Sequence, residues 1–380
     1  MKWPEVALGD VFEVARGGSP RPIQKFLTDD PDGVNWIMIG DASSSAKYIE
    51  RTQQKILPEG VKKSRRVNPG DFLLTNSMSF GRPYIMRTSG CIHDGWLLLS
   101  PKSDNVNPDF FYHLLGSPLI YKRFAARAPG ATVKNLNSDI VRDAVVPLPP
   151  LDEQKRIAAI LDKADALRRL RQQAIDRLNT LSQSVFHEMF SRGEHPKFAL
   201  KDVGQVSTGS TPKTSDAAYF DGEIPFITPG DLESDNPPSR WLSERGAANS
   251  RTVSQGATLV CCIGATIGKM GMASNRVAFN QQINAVQWSE DVEPEYGLHA
   301  LGMLHETIVH RGKGAATTLP ILKKSEFEKL EVAIPPLPLQ REFSKKIREV
   351  KELRERSVSA LGSSEQLFAS LQQRAFAGEL

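Results

Sequence analysis

A proline-rich elbow that leads into a long run of regularly spaced apolar residues occurs twice in this chain, and it limits the possible folds more than any other feature. The first copy runs from Val146 to Phe190 and the second from Ala333 to Leu380. When Gln154 is aligned with Gln340, the two copies match without a gap to the end of both. Apolar residues then match apolar residues along both copies, so the chain is predicted to be an internal duplication.

The residues after each elbow predict a long helix. Proline fixes φ and removes a backbone donor, so regular helix is expected only after the elbow. In the first copy Asp152 is the predicted N-cap, and the helix should continue to about Ser191 with no internal proline or glycine. In the second copy Pro338 and Leu339 replace Asp152 and Glu153, which predicts a start shifted by a residue or two and no acidic cap.

The apolar residues of each helix recur at a mean spacing of about 3.5, the period of a coiled coil. A single helix cannot bury such a stripe alone, and the second copy supplies a matching partner. A long core helix of a larger domain is the alternative, and Arg171 interrupts the stripe at one position. The predicted helix–helix seam consists of Ile157, Leu161, Ala164, Leu167, Leu181 and Val185 in the first helix, and Phe343, Ile347, Val350, Leu353, Leu367 and Leu371 in the second.

The segments outside the helices, which we call heads, also repeat. Leu8–Pro20 reappears as Leu200–Pro212, and Gly81-Arg82 matches Gly268-Lys269. The difference in residue number between matched residues changes from one match to the next, so insertions and deletions fall in the heads. We predict an α+β fold of four parts: head 1 over residues 1–150, a long helix over 151–193, head 2 over 194–336 and a C-terminal long helix over 337–380.

Within head 1, short apolar runs separated by Gly, Pro, Asn and Asp predict a mixed α/β module. Strands are expected at Trp36–Ile39, Phe72–Leu74 and Trp96–Leu99. A helix should begin after Pro108, with Phe110, Phe111, Leu114 and Leu115 on one face.

Composition bounds the class of protein. With 40% hydrophobic and 24% charged residues, the chain has the make-up of a globular protein. No apolar run reaches the roughly 18–20 residues of a membrane span, and the N-terminus does not read as a signal peptide. Three cysteines without CxxC spacing predict neither disulfides nor a zinc site, so a cytoplasmic location is expected. The net charge of +4 is compatible with a polyanionic partner.

The sequence offers no convincing active site. Asn236–Ser239 resembles the NPPY-type motif of amino-methyltransferases, but Ser239 stands where an aromatic residue would stack on the target base. Gly204–Thr211 has the spacing of a phosphate-binding loop but has Ser210 in place of the lysine. The seven histidines are scattered. We therefore predict a protein without catalytic residues and without a metal site.

Polar and basic loops recur in both heads. Glycine-exposed amides, hydroxyls and cations are the groups that contact DNA phosphates, and Arg, Asn and Gln can read base edges. We single out Arg82, Asn135, Gln281 and Gln282 for base contacts. The predicted DNA-binding residues are Ser19, Arg21, Lys25, Lys62, Lys63, Arg65, Arg66, Arg82, Lys134 and Asn135 in head 1, and Thr211, Lys213, Arg245, Arg251, Lys269, Lys313 and Thr317 in head 2.

Three paired motifs accompany the order head, helix, head, helix. They are the elbows at Leu148–Gln154 and Ile334–Gln340, the G-[GS]-[ST]-P loops at Gly17–Pro20 and Gly209–Pro212, and the strand ends at Ile37–Asp41 and Ile227–Asp231. In this combination the chain resembles the specificity subunit of Type I restriction-modification systems, over essentially its whole length.

The resemblance implies that each head is a target recognition domain that reads one half of a split, asymmetric DNA site through the major groove. It implies that the two helices pack antiparallel, set the spacer between the half-sites and dock two modification subunits. Those subunits bind S-adenosylmethionine and methylate adenine, and a restriction subunit can join them. The specificity subunit itself is implied to bind no cofactor and to catalyse nothing.

Two alternatives remain from other classes. One is a non-catalytic, two-headed scaffold that binds proteins or glycans; the cationic loops and an aromatic content of only 7% argue against a glycan reader. The other is a methyltransferase, which should bind S-adenosylmethionine on its own.

Overall fold

A computed structural model describes residues 3–43, 47–76, 80–128, 135–191, 193–234, 236–314 and 319–380. The chain divides into two compact units. Unit 1 comprises Met1–Gln172 and Ser359–Leu380, and unit 2 comprises Gln173–Val358. Each unit therefore holds one head together with part of both long helices.

Unit 1 contains head 1, which is built from short strands and helices. Its strands are β1 (Glu5–Ala7), β2 (Phe12–Arg16), β3 (Leu27–Thr28), β4 (Val34–Ile37), β5 (Tyr48–Ile49), β6 (Gln54–Ile56), β7 (Arg65–Val67), β8 (Phe72–Thr75), β9 (Pro83–Met86), β10 (Gly90–Ile92), β11 (Trp96–Pro101) and β12 (Val145–Pro147). Its helices are α1 (Leu8–Val11), α2 (Ile39–Ser43), α3 (Pro58–Val61), α4 (Pro108–Leu115), α5 (Pro118–Arg127) and α6 (Ser138–Arg142), followed by the start of α7 (Leu151–Phe190). The expected strands and the helix after Pro108 are confirmed, although the first of these strands ends at Ile37 and Ile39 already belongs to α2.

The strands of head 1 form two five-stranded sheets, in the orders β2-β11-β8-β9-β5 and β3-β6-β4-β10-β7. Both faces of the first sheet are buried, and successive residues of β8 alternate between them. Phe72 and Leu74 join the core shared with the helices, whereas Leu73 joins the core between the two sheets. Strands β1 and β12 pair antiparallel, so the head closes on itself immediately before the elbow.

Unit 2 repeats this architecture. Its strands are β13 (Lys197–Ala199), β14 (Gly204–Thr208), β15 (Phe220–Ile227), β16 (Trp241–Leu242), β17 (Thr252–Val253), β18 (Thr258–Cys261), β19 (Met270–Met272), β20 (Val277–Phe279), β21 (Ile283–Trp288) and β22 (Glu331–Ala333). Its helices are α8 (Leu200–Val203), α9 (Glu244–Ala248), α10 (Pro294–Gly302), α11 (His305–Lys313), α12 (Lys324–Phe327) and α13 (Leu337–Ala377), whose last turns belong to unit 1.

The sheets of head 2 have the orders β14-β21-β18-β19 and β16-β15-β20-β17, and β13 pairs with β22 as β1 does with β12. The matched glycines also adopt the same conformation. Gly81 and Gly268 have φ of 73° and 93°, a region that disfavours residues with a Cβ atom. The predicted duplication of the heads is thus confirmed at the level of strand order and of backbone conformation.

The long helices begin at matched residues. Helix α7 starts at Leu151 and α13 at Leu337, in register with the alignment of Gln154 and Gln340, so the predicted shift of the second start is wrong. Proline is tolerated in the first turn of a helix because its missing N–H would have no partner there, and Pro338 therefore does not delay the helix. Asp152 is not the N-cap either. It lies within the first turn with its side chain fully exposed, and the carbonyl of Pro150 accepts the first amides.

The two long helices pack together and run antiparallel, as the resemblance implied. In unit 1, Arg156 Nη2 donates to the carbonyl of Leu380 at 2.7 Å, and Arg171 donates to the carbonyl of Ala360. In unit 2, Arg354 Nε donates to Asn179 Oδ1 at 2.7 Å.

The predicted seam agrees with the structure only in part. Ile157, Leu161, Phe343, Ile347 and Val350 are buried, and Ala164, Val185 and Leu371 are half-buried. The remaining four predicted seam residues, Leu167, Leu181, Leu353 and Leu367, are 40–52% exposed and do not belong to the buried face.

In the first helix the less exposed side shifts by one residue after Ala164: Arg168 and Arg171 are half-buried and Ile175 is buried, whereas Leu167 and Ala174 are exposed. Arg171 reaches the carbonyl of Ala360, and Arg168 covers the ring of Phe368 at 5.1 Å. Long side chains with paired guanidinium groups thus occupy positions that the apolar pattern assigned to leucine.

Candidate nucleic-acid interface

The G-[GS]-[ST]-P loop of each head is held by the same pair of backbone hydrogen bonds. In head 1 the amide of Gly17 donates to the carbonyl of Trp96 at 2.9 Å, and Gly18 donates to Ile92 at 3.1 Å. These acceptors lie at the start of β11 and at the end of β10. A Cβ atom on Gly17 would lie 2.0 Å from the carbonyl oxygen of His93, so only glycine permits this approach.

In head 2 the corresponding donors are Gly209 and Ser210. Gly209 donates to the carbonyl of Ile283 at 3.0 Å and Ser210 to that of Phe279 at 2.9 Å. The acceptors again mark the start of β21 and the end of β20. Both heads therefore place this loop beside the turn that joins those two strands.

A hydroxyl group of each loop then holds one polar side chain of the neighbouring turn. Ser19 Oγ donates to Asp94 Oδ1 at 2.8 Å in head 1, and Thr211 Oγ1 donates to Gln281 Oε1 at 2.7 Å in head 2. Asp94 and Gln281 are matched positions, because each is the second residue after the strand that precedes the turn. Each side chain is thus oriented by the predicted residues Ser19 and Thr211.

Asp94 was absent from the sequence-based selection, although it occupies the position of Gln281. The matched turn could have revealed it, because the strand before the turn and the strand after it align at a single offset. Asp94 carries the charge opposite to the one expected beside a polyanionic partner, so composition alone does not mark it.

The surroundings of Asp94 keep it ionised. The hydrogen bond from Ser19 lowers the pKa of its carboxyl group most, and the nearby Arg21 guanidinium lowers it further. Arg21 Nη2 lies 3.5 Å from Asp94 Oδ2, and the Arg21 side chain is 83% exposed. Burial lowers the pKa of the adjacent His93. The turn therefore presents a carboxylate with an exposed guanidinium group at its side.

The cationic segment 62–66 lies next to the same loop. A Cβ atom on Gly18 would meet the Lys63 carbonyl oxygen at 3.4 Å, which places the loop against this segment. The Lys63 ammonium group lies 5.1 Å from the centre of the Phe26 ring. Lys62, Lys63, Arg65 and Arg66 are all exposed, as is Lys25. The structure thus brings the predicted residues of head 1 from Ser19 to Arg66 into one neighbourhood.

The predicted cations of head 2 are more widely spread. Arg245 lies 3.9 Å from Asp216 and 5.5 Å from the centre of the Tyr219 ring. Lys213 and Arg251 are exposed, and Ser250, next to Arg251, donates to the carbonyl of Ser210. The loop of head 2 therefore has Arg251 beside it, where head 1 has a run of four cations.

The remaining predicted residues lie on other segments of the heads. Arg82 is exposed and Lys269 half-buried, and each follows the matched glycine directly and is the last residue before a strand, β9 or β19. Asn135 is exposed at the edge of the described residues, and Lys313 is exposed at the end of α11. Lys134 and Thr317 lie outside the described residues.

The described part of the chain holds no group of three or more His, Cys, Asp or Glu residues that could ligate a metal ion. None of the helices in that part combines the length and the apolar character needed to cross a membrane.

Comparison with known proteins agrees with this architecture. The family model described as Type I restriction modification DNA specificity domain matches residues 1–180 and again residues 194–355. The chain is 23% identical to the Type I restriction enzyme MjaIX specificity subunit of Methanocaldococcus jannaschii, over 90% of this chain and 85% of that protein.

Two solved structures share the fold over nearly the whole length. A chain from a study of complex assembly and conformational transition of the type I R-M system has a TM-score of 0.64 at 18% identity, covering 100% of this chain and 98% of that one. The S subunit of a Type I restriction-modification system from M. genitalium has a TM-score of 0.62 at 15% identity, with 98% and 96% covered. Because the family model matches twice and spans most of the sequence, the chain belongs to the Type I restriction-modification DNA specificity family.

Proposed function

We propose that this protein reads a bipartite DNA sequence, with one half-site for each head. The observation that carries the proposal is the repeated arrangement in which a loop hydroxyl orients the side chain of Asp94 or of Gln281. Exposed cations lie beside that loop in both heads, with Arg21 and segment 62–66 in head 1 and Arg251 in head 2. Phosphate contacts by the cations would position the heads, and the oriented side chains would read bases.

The two oriented side chains differ in what they can recognise. A carboxylate only accepts hydrogen bonds, so Asp94 suits a donor such as cytosine N4 in the major groove. A carboxamide both accepts and donates, so Gln281 can pair with the N6 and N7 atoms of adenine. The same scaffold would thus read different bases in the two heads, which gives an asymmetric site.

The long helices would supply the constant part of the function. We propose that they set the spacer between the half-sites and dock two modification subunits, with a restriction subunit as a further partner. S-adenosylmethionine would bind to the modification subunits, and this chain would take no part in the chemistry. Its place of action would be the cytoplasm, where its DNA substrate lies.

A titration of fluorescent duplex DNA of random sequence, at several salt concentrations, tests the DNA-binding part of the proposal. We expect binding that weakens steeply as salt rises, because neutralised phosphates release counterions. Binding that is absent, or that does not depend on salt, would contradict DNA reading and favour the protein-binding or glycan-binding scaffold.

Calorimetry with S-adenosylmethionine tests the non-catalytic part on the same preparation. No heat of binding is expected for the chain alone. A stoichiometric binding signal would instead favour a methyltransferase.

A further inference from the structure

Head 1 is joined to helix α7 by a partly buried ionic cluster. Lys47 Nζ lies 2.7 Å from Asp109 Oδ1 on α4 and 2.8 Å from Asp162 Oδ1 on α7. His113 Nε2, also on α4, lies 2.8 Å from the same oxygen of Asp162. The Lys47 side chain is only 10% exposed, and the rings of Tyr48 and Tyr112 flank its ammonium group at 5.5 and 5.1 Å. One lysine of the head thus bridges a carboxylate of the head and a carboxylate of the helix.

Head 2 is joined to helix α13 at the matched positions by the opposite charge. In the alignment that sets Gln154 on Gln340, Asp109 corresponds to Glu295 and Asp162 corresponds to Arg348. Arg348 Nη1 lies 2.9 Å from Glu295 Oε1, and the Glu295 side chain is 15% exposed. Here the helix carries the cation, and Arg348 pairs directly with the carboxylate of the head.

These two contacts are mutually incompatible. Head 2 seated on α7 would bring Glu295 against Asp162, two carboxylates without the cation that Lys47 provides. Head 1 seated on α13 would set two cations, Lys47 and Arg348, around the single carboxylate of Asp109. Each exchange leaves a partly desolvated site with an excess of one charge, and such an unbalanced like-charge contact is unfavourable.

We propose that the charge at this helix position, negative at Asp162 and positive at Arg348, assigns each head to its own helix. The contact then acts as a selectivity element between head and helix. It favours the packing of each head on the helix that follows it in the chain over packing on the other helix. The proposal concerns assembly of the chain and holds whether or not the heads bind DNA.

Substitutions in the full-length chain that give the head 1 contact the charges of the head 2 contact test the proposal. Asp162→Arg should lower the melting temperature of the protein by at least about 5 °C, because in this partly buried cluster it leaves Lys47 and the new arginine to share the single carboxylate of Asp109. Lys47→Met should also lower it, because two carboxylates then face each other. The variant that combines Lys47→Met with Asp162→Arg should recover most of the lost melting temperature, since the new arginine can pair with Asp109 as Arg348 pairs with Glu295.

A matched control comes from the same helix. Asp152→Arg makes the same change of charge on a side chain that is fully exposed, and only a small shift is expected. The proposal is overturned if Asp162→Arg melts no lower than this control, or if the double variant melts no higher than Asp162→Arg alone.

A chain that carries residues 194–336 in place of residues 1–150 provides an independent measurement. We expect this exchange chain to gain melting temperature when Asp162→Arg is introduced, the opposite of the effect in the native chain. An equal loss in both backgrounds would show that the charge makes no distinction between the heads.

Discussion

Gln154 and Gln340, at matched positions of the two long helices, make the same three hydrogen bonds. Gln154 Nε2 donates to the carbonyls of Pro149 and Asn105 at 2.9 and 3.1 Å, and Gln154 Oε1 accepts from the amide of Asn107 at 2.9 Å. Each glutamine is almost completely buried. The side chain therefore ties the elbow, the first turn of the helix and the loop before α4 to one another.

The contacts of Gln340 involve the matching residues of the second copy. Its Nε2 donates to the carbonyls of Pro335 and Asp291 at 2.8 and 3.0 Å, and its Oε1 accepts from the amide of Glu293 at 2.9 Å. The elbow thus holds each head against its own helix through a completely satisfied amide. An insertion between elbow and helix would separate the glutamine from its partners, which explains why neither copy has one.

Replacement of Gln154 by leucine should cost roughly 2–4 kcal/mol in the free energy of unfolding, because it leaves buried backbone groups without partners. Urea denaturation followed by circular dichroism measures this loss. Gln183→Leu, at an exposed position of the same helix, is the control and should change stability by less than about 0.5 kcal/mol. Equal effects of the two substitutions would argue against a clamp at the elbow.

The duplication and the length of the helices could be predicted from the sequence because both are periodic. The exposure of Leu167 could not, because two registers one residue apart have the same period. The choice between them depends on what the facing helix offers, and the carbonyl of Ala360 accepts from Arg171. The apolar pattern predicts that arginine faces solvent and leucine faces the seam. It contains no information about a backbone carbonyl on the facing helix that can accept from an arginine.

The candidate site shows the same limit. The loops at Ser19 and Thr211 were predictable from their repetition, since glycines and hydroxyls recur in both heads. The role of Asp94 depends on a hydrogen bond between segments 75 residues apart, which only the folded chain reveals. Likewise Lys47 has no distinguishing sequence context, yet it lies between two carboxylates.

The cluster around Asp162 predicts a loss of stability in acid. Burial raises the pKa of this carboxyl group, but the hydrogen bonds from His113 and Lys47 outweigh it and hold the pKa at about 2. A lowered pKa contributes stability that is present above the ordinary value of 3.8 and is lost as the pH falls towards 2.

We therefore expect Asp162→Asn to flatten the decline in melting temperature between pH 4 and pH 2, roughly the window set by these two pKa values. Asp152→Asn, at the exposed carboxylate, should leave the decline unchanged. If both variants follow the curve of the unmodified protein, Asp162 is not held in the ionised form by its partners.

The cations of segment 62–66 should contribute affinity for DNA without sequence preference. Joint replacement of Lys62, Lys63, Arg65 and Arg66 by glutamine should weaken binding similarly for all duplexes. It should also make the salt dependence shallower by up to about 3–4 in the slope of log K against log salt, since each lost phosphate contact removes about 0.9.

Fluorescence anisotropy at four or more salt concentrations measures that slope. Glutamine substitutions at Lys345 and Lys351, exposed cations of helix α13, serve as the control for net charge. A slope that falls equally per charge removed in the two variants would indicate that overall charge, and not this loop region, attracts the DNA.

The oriented side chains predict a change of specificity confined to one half-site. Asp94→Asn replaces one acceptor by a donor, so the preference at a single base of the half-site read by head 1 should shift by about 1–3 kcal/mol. The half-site read by head 2 should stay unchanged, because Gln281 and its partner Thr211 are untouched.

Thr211→Val, which keeps the shape but removes the hydroxyl donor, should weaken discrimination in that second half-site alone. Selection of bound duplexes from a pool randomised in both halves distinguishes these outcomes. If Asp94→Asn alters both halves, the heads do not read DNA independently, and if it alters neither, Asp94 positions the loop without contacting a base.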